Sequence, residues 1–526
     1  MNDFRYRRGA KSLGKGLFLL ALALGLTQSV CLVGQKPPAD KNTPAAHISP
    51  TQAKKLFALV DPLLRFSSAE TGLPIKSTVK RQLTTRAAVE RYLNQKISED
   101  QDAKRLQRDE IVLKKLGLLD RDFDLKTFLL ALLKEQVEAF YDAKTKTVNL
   151  LDWVDVEEQK PVLAHELTHA LQDQHCNLEK WGDQTPAEVS VSAAGDRDYL
   201  ARDEFDTARD AVVEGQATAV MMDYILKPLG KSLIKTPEVI DVLREHMSGG
   251  GDAPVMARAP LLLSESLLFP YREGLSFEQD IWMDQGRAAA FAGTLDRPPS
   301  SSWEILNPRE YEQKHRPAVP RMPDIHPLVD KLYQPYDIGQ IGQLDQRTML
   351  KLFDGDSAAR DLTPAWNGGF YWAGRARSSH DQAGTGSLAL LYLSAWRNAA
   401  SAHAFAKIYG ENLARKYSRV QLETTEKTPR TGGGIEQLYS TSEGPVLLVV
   451  EGQNVFVAES FPLELARSLA SLVLNVQSNG NLHLVQTTPA SALPLSPASD
   501  LAHLLNSYGT LHVAVQAALV AGTQAH

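Results

Sequence analysis

The chain has 526 residues, a formal net charge of −6 and only 2 cysteines. It is long enough to bury a large core, and so few cysteines exclude a disulfide framework. The mild acidity, with no basic patch carrying interleaved aromatics, argues against a nucleic-acid partner.

The N-terminus reads as a targeting segment. Arg5, Arg7, Arg8, Lys11 and Lys15 precede Leu17 to Leu26, an apolar run broken only by Gly25, and Thr27, Gln28 and Ser29 follow. The run is short for a membrane span. Residues 1–31 are therefore expected to be a secretory signal peptide, giving a periplasmic or extracellular protein. Cys31 stands where a lipoprotein cysteine could stand, although Gln28-Ser29-Val30 is a poor match to a lipid-attachment site. Membrane contact is expected only through this segment or a lipid on Cys31. Residues 32–50 read as a flexible linker rich in Pro, Ala, Lys and Thr.

Residues 51–119 read as a helical region, with helices at Ala53–Phe66 and Arg86–Gln95 and a short strand within Pro74–Leu83. Residues 120–315 carry the chemistry. A helix around Leu125–Lys134 leads, after a turn at Asp142-Ala143-Lys144-Thr145, into a strand at Thr145–Val154. An exposed edge on that strand could align an extended peptide. The next helix, about Lys160 to Gln174, has Pro161 in its first turn and contains His165-Glu166-Leu167-Thr168-His169. In this H-E-x-x-H pattern two imidazoles lie on one face, about 6 Å apart along the axis, and can share one metal ion. Glu166 can then reach a water held by that metal. Zinc suits two imidazoles and an oxygen ligand, with one position left open.

Glu214, in the helical stretch Asp210–Ala219, is the expected third ligand, since a carboxylate among Ala and Val is costly unless paired or metal-bound. Asp210, one turn earlier, could accept a hydrogen bond from the far nitrogen of a ligand histidine. The rival third ligand is His175, where some H-E-x-x-H proteases place a third histidine. That layout needs a glycine where this chain has Gln172, and on an unbroken helix His175 points about 240° away from His169. Tyr271 and Arg272, with His246 as a weaker choice, are candidates to stabilise an oxyanion.

Taken together, Glu138-Ala139-Phe140-Tyr141-Asp142, Thr145–Leu150, His165–His175 and Val213-Glu214-Gly215-Gln216-Ala217-Thr218 resemble the gluzincin metallopeptidases. With Phe269–Gly274 and Pro298-Pro299-Ser300 through Asn307-Pro308, they resemble more narrowly an uncharacterised group of exported bacterial proteins of that type. The resemblance covers about Leu73 to Tyr311. It implies a zincin-like catalytic domain, one Zn2+ ion held by His165, His169 and Glu214, and Glu166 as general base. One departure is Asn307, where the group has a histidine before the proline.

The proline-dense stretch Arg316–Pro335 marks an expected boundary. Beyond it, residues 336–477 read as a smaller C-terminal α+β domain with no catalytic constellation. Its expected elements are a strand at Ser387–Trp396, a helix at Ala402–Tyr417, a strand pair at Val446–Val450 and Asn454–Glu459, and a helix at Pro462–Val473. Residues 478–526 read as a tail, with one more helix or loose chain at Leu501–Val520. Gly355-Asp356-Ser357-Ala358 lacks the second glycine of a nucleophile elbow and reads as a loop, and no phosphate loop occurs.

The expectation is an α+β protein, mostly helical, acting as an exported zinc metallopeptidase on peptide or protein substrates. The competing expectation is a non-catalytic zinc-containing binding or scaffold protein of the cell envelope.

Overall fold

The first helices begin where their caps dictate. Ser49 accepts from the Gln52 amide while the Gln52 side chain reaches back to Ser49, and Pro50 fills the first turn of α1 (Pro50–Ala58). α2 (Val60–Thr71) follows and stops at Gly72, which takes a left-handed φ of 75°. In this computed structural model the described residues are 47–98, 100–182, 189–248, 253–317, 319–379, 384–427, 434–478 and 510–524. The expected signal peptide, Cys31 and most of the expected linker lie outside them.

Two sheets organise the α+β fold. The smaller has four strands in the order β1-β3-β2-β11. β1 (Lys80–Thr84) runs parallel to β3 (Thr147–Leu151), and β2 (Val137–Asp142) runs antiparallel to it. The β2–β3 turn is held by the Asp142 carboxylate, which accepts from the Lys144 and Thr145 amides. β3 is thus an inner strand, buried at all five positions. The expected peptide-aligning edge is not there, because β1 and β2 take both of its sides. Between β1 and β2 lie α3 (Arg86–Ser98), α4 (Asp100–Leu116) and α5 (Leu125–Gln136), the last capped by Asp124.

α6 (Gln159–Cys176) carries the H-E-x-x-H residues. The Gln159 side chain pins its start to the end of β3, accepting from the Leu151 amide and donating to the Leu151 and Val154 carbonyls. Asn177, at φ 58°, ends it. From Pro161 to Asp173 every residue is buried, so α6 is a central helix and not an amphipathic surface one. α7 (Phe205–Leu226) lies beside it. α8 (Val239–Ser248), α9 (Leu261–Phe269), a π-helical turn at Pro270–Gly274 and α10 (Leu275–Gln285) complete this half.

The larger sheet is wholly antiparallel, in the order β4-β5-β6-β10-β9-β8-β7. Its strands are β4 (Tyr333–Gln340), β5 (Trp366–Ala376), β6 (Leu388–Trp396), β7 (Val420–Lys427), β8 (Ile435–Thr441), β9 (Gly444–Glu451) and β10 (Asn454–Glu459). α11 (Gln343–Leu362), α12 (Ala399–Glu411) and α13 (Leu463–Ser478) accompany it. The expected loop at Gly355–Ala358 is a kink inside α11, where Gly355 takes φ 85°.

β6 is buried throughout and splits its side chains by parity. Leu388, Leu390 and Tyr392 join one core; Ala389, Leu391 and Leu393 join another with α13. The first of these cores also contains the α2, α6 and α7 side chains. Consequently His47–His526 is one compact unit. The proline-rich stretch separates two sheets, not two cores, because one face of the larger sheet is covered by the metal-motif half.

The expected C-terminal tail is also built in where it is described. β11 (Thr510–Leu511) pairs antiparallel with β2, and α14 (His512–Gln524) packs on α8 and α7, with Ala514, Ala518 and Ala521 buried. Among the described residues, no helix is long and apolar enough to cross a membrane.

Candidate metal centre

α6 and α7 bring together residues 49 positions apart. His165 Nε2 donates to Glu214 Oε2 at 3.0 Å, and His169 Nε2 lies 3.6 Å from Glu214 Oε1. The two rings sit edge to face, with centroids 4.7 Å apart. Ligand-type atoms of His165, Glu166 and His169 all fall within 4.8 Å of one another. The Glu214 distances are shorter, and one carboxylate oxygen faces each imidazole. His165, His169 and Glu214 are therefore the residues that could hold a metal, with the fully buried Glu166 beside them.

Glycine sets the helix spacing. A Cβ on Gly215 would fall 2.4 Å from the Gly274 carbonyl carbon, and one on Gly274 would fall 2.1 Å from the Ala211 oxygen. The π-helical turn thus rests directly on the α7 backbone. That contact brings Tyr271 in: its ring stacks on His165 at 6.2 Å and 16°, and its hydroxyl bonds to Glu214. Burial, then the Glu214 and Glu166 charges, push the phenol well above its usual range, so it stays a proton donor.

One hydrogen-bond chain fixes His169. Gln172 Nε2 donates to the Val213 carbonyl and to Gln216 Oε1. That orientation leaves Gln172 Oε1 to accept from His169 Nδ1 at 2.9 Å. Gln216 is anchored in turn by donating to the Ala290 and Phe291 carbonyls and to Thr294 Oγ1. With a proton on Nδ1 and Nε2 turned to a carboxylate, His169 is an imidazolium. Burial alone would lower its pKa, but the Glu214 charge overrides this and raises it to about 9. Burial would raise Glu214, and the two histidines bring it down to about 2.

The donor set fits zinc. A buried carboxylate is compensated here chiefly by imidazoles, and His165 Nδ1 is buried with no hydrogen-bond partner. A divalent ion between the Nε2 atoms and Glu214 would take the place of the proton that now joins them.

Other candidates fall elsewhere. Arg272 donates to Glu265 at 2.6 Å, in an ion-pair network away from the imidazoles. His246 donates to the Val242 carbonyl in its own helix. His175 pairs with Asp296 at 2.8 Å and does not join the His165–His169–Glu214 cluster. Asp210 does not hold a far imidazole nitrogen: Gln172 takes that place on His169, and the corresponding His165 atom is bare. Asp210 is half-buried near Arg209. Asn307 donates to the Trp303 carbonyl and to Gln343 Oε1, where the resemblance has a histidine.

Sequence reasoning missed Gln172 and Gln216. The signal was available: Gln172 is three residues past His169 and shares its helix face. Comparison with family models, curated proteins and solved structures returned no match.

Proposed function

We propose that this chain is a zinc-dependent metallopeptidase, exported by its N-terminal apolar segment and acting on peptide or protein substrates. The observation that carries the reading is the convergence of two imidazole Nε2 atoms on one buried carboxylate, with Glu166 inside the same cluster. His165, His169 and Glu214 would hold the ion. When bound, zinc supplies Lewis acidity that polarises a carbonyl and makes water acidic near neutral pH.

The protein's own groups do the rest. Glu166 takes the proton from the attacking water and passes it to the departing amine. The Tyr271 hydroxyl, kept protonated by burial and its acidic neighbours, donates to the oxygen that gains charge. Gln172 accepts from His169 Nδ1 and so holds the ring with Nε2 turned toward Glu214, where it would serve as a ligand. Burial of α6 from Pro161 to Asp173 keeps bulk water from competing for these groups.

The test is Glu166→Gln in the full chain, with zinc content and hydrolysis of a peptide library measured together. The expected result is one zinc per chain retained and turnover reduced by about 10²–10⁴-fold, the usual weight of a general base. Unchanged turnover, or zinc absent from the unmutated protein, would overturn the reading. A scaffold would bind zinc and show no turnover to lose.

A further inference from the structure

A cavity of about 650 Å³ has Arg272 in its wall and none of the metal-motif residues. This volume lies within the ~300–1,000 Å³ of small-ligand sites. It opens between the α9–π-turn segment and α11, and the Gly355 kink turns the last part of α11 along it. The chain as a whole is acidic, yet Arg244, Arg272, Arg347, Lys351 and Arg360 face this cavity against Glu265, Glu273 and Asp356.

The acids are already satisfied. Glu265 is paired with Arg272 at 2.6 Å, Lys351 at 3.0 Å and Arg347 at 3.8 Å. Glu273 is paired with Arg244 at 3.0 Å and Arg347 at 3.2 Å. Burial would raise both carboxyls, but these cations hold Glu265 down at about 2 and Glu273 below its usual range. Both carboxylates therefore remain charged and have no spare demand for donors.

The unmet capacity lies with donors. Arg272 Nε and Thr363 Oγ1 are buried with no hydrogen-bond partner, and Arg347 Nη2, 3.8 Å from Glu265, makes no hydrogen bond either. Arg272 and Thr363 are only 9% and 8% exposed. A buried guanidinium N–H without an acceptor is costly, and an oxyanion supplies what it lacks. Leu306, Ala359 and Pro364 give the same wall an apolar part that suits a carbon stem.

We propose that this cavity binds the carboxylate of an acidic organic ligand, held by Arg272, Arg347 and Thr363. The inference concerns binding and stands or falls independently of peptide hydrolysis.

Calorimetric titration of the full chain with glutarate, glutaramide and inorganic phosphate tests it, since none of the three has a peptide bond to cleave. Glutarate should bind at least about tenfold more tightly than glutaramide, with affinity falling as salt rises. Arg347→Gln should weaken glutarate at least about tenfold. Thr363→Val, which touches no ion pair, should weaken it by a smaller factor. Glu214→Gln should leave glutarate binding unchanged, which separates this cavity from the metal centre. Equal binding of glutarate and glutaramide, binding of phosphate without glutarate, or loss of glutarate binding in Glu214→Gln alone would overturn the proposal.

Discussion

The candidate metal centre and the middle strand of the larger sheet both bury charge, and they do so in opposite ways. Glu459 on β10 is fully buried and accepts from Lys416, Tyr409 and Tyr417. Next to it, Lys115 donates to Glu443 and to the Ser460 hydroxyl. Each cation there meets an anion, and phenols fill what remains. At the metal centre two bases face one carboxylate, Glu166 adds a second acid, and one imidazole nitrogen is bare. Buried charge therefore does not distinguish a site from scaffolding; the distinction is whether the protein closes its own bonds.

The strongest way to break that contrast is to open the closed set. Lys416→Met leaves Glu459 buried with only phenols, and should cost about 3–5 kcal/mol of unfolding free energy, as for one half of a buried ion pair. Denaturant titration would read this, and zinc content should not change. Glu214→Gln should do the reverse, shedding zinc while the chelated protein unfolds near the unmutated midpoint. If Lys416→Met sheds zinc, or Glu214→Gln unfolds the chelated chain, the two regions are not different in kind.

Glycine gives the next contrast. A Cβ on Gly117 would meet the buried Lys416 side chain at 2.8 Å, and its φ of 79° strains any side chain whatever the space. A Cβ on Gly274 would meet backbone at 2.1 Å. Gly274→Ala should therefore force α7 from the π-helical turn and cost about 1–3 kcal/mol or more by overpacking. Weaker zinc binding should accompany it, since Glu214 and Tyr271 sit on the two surfaces pushed apart. A Gly274→Ala protein with the unmutated midpoint and zinc affinity would remove the close approach as a design feature.

A smaller effect is expected from Gln172→Leu, which keeps the volume but frees His169 Nδ1. Zinc affinity should fall about 10–100-fold, the usual range for losing a partner of a ligand histidine. An unchanged zinc dissociation constant would mean that packing alone orients the ring.

These predictions rest partly on features that were legible in the sequence. Pro161, the H-E-x-x-H spacing and the apolar flanks located α6 to within two residues at each end. Glu214 was recoverable because an acid among Ala and Val needs a partner. β4, β5, β7 and β8 were not anticipated. Trp366–Ala376 is interrupted by glycines, with Gly368 at φ 101° and a register shift before Gly369. Val420–Lys427 is exposed at nearly every position, so it carries no burial period to read. The packing of α14 against the metal-motif half depends on contacts such as the Val513 amide with Gln136, 377 positions away, which local pattern cannot encode. Of the three oxyanion candidates, Tyr271 is the one that joins the imidazole cluster; Arg272 pairs with Glu265, a contact that local pattern does not reveal.

A third buried set tests the contrast most finely, because it is neither closed by cations nor arranged as a ligand cluster. Glu204 and Asp345 are both buried where the starts of α7 and α11 meet, and the Glu204 carboxylate occupies the space that a Gly342 Cβ would fill. Burial, then the neighbouring Asp345 charge, raises Glu204 to about 8; burial raises Asp345 to about 7. In the unfolded chain these groups release their protons near 4.5 and 3.8. The folded state therefore holds protons that the unfolded state has lost. By linkage, this contribution is fully present below the unfolded values and drains away as pH rises toward 7 and 8. Glu204→Gln removes one of the two acids and relieves the other of its like charge. Thermal melts of the chelated protein between about pH 5 and about pH 9 should show the unmutated midpoint falling through that window and the Glu204→Gln midpoint falling less. Parallel curves would mean that the fold holds no proton there, and that burial of two acids without a cation has been relieved by some rearrangement of α7 against α11.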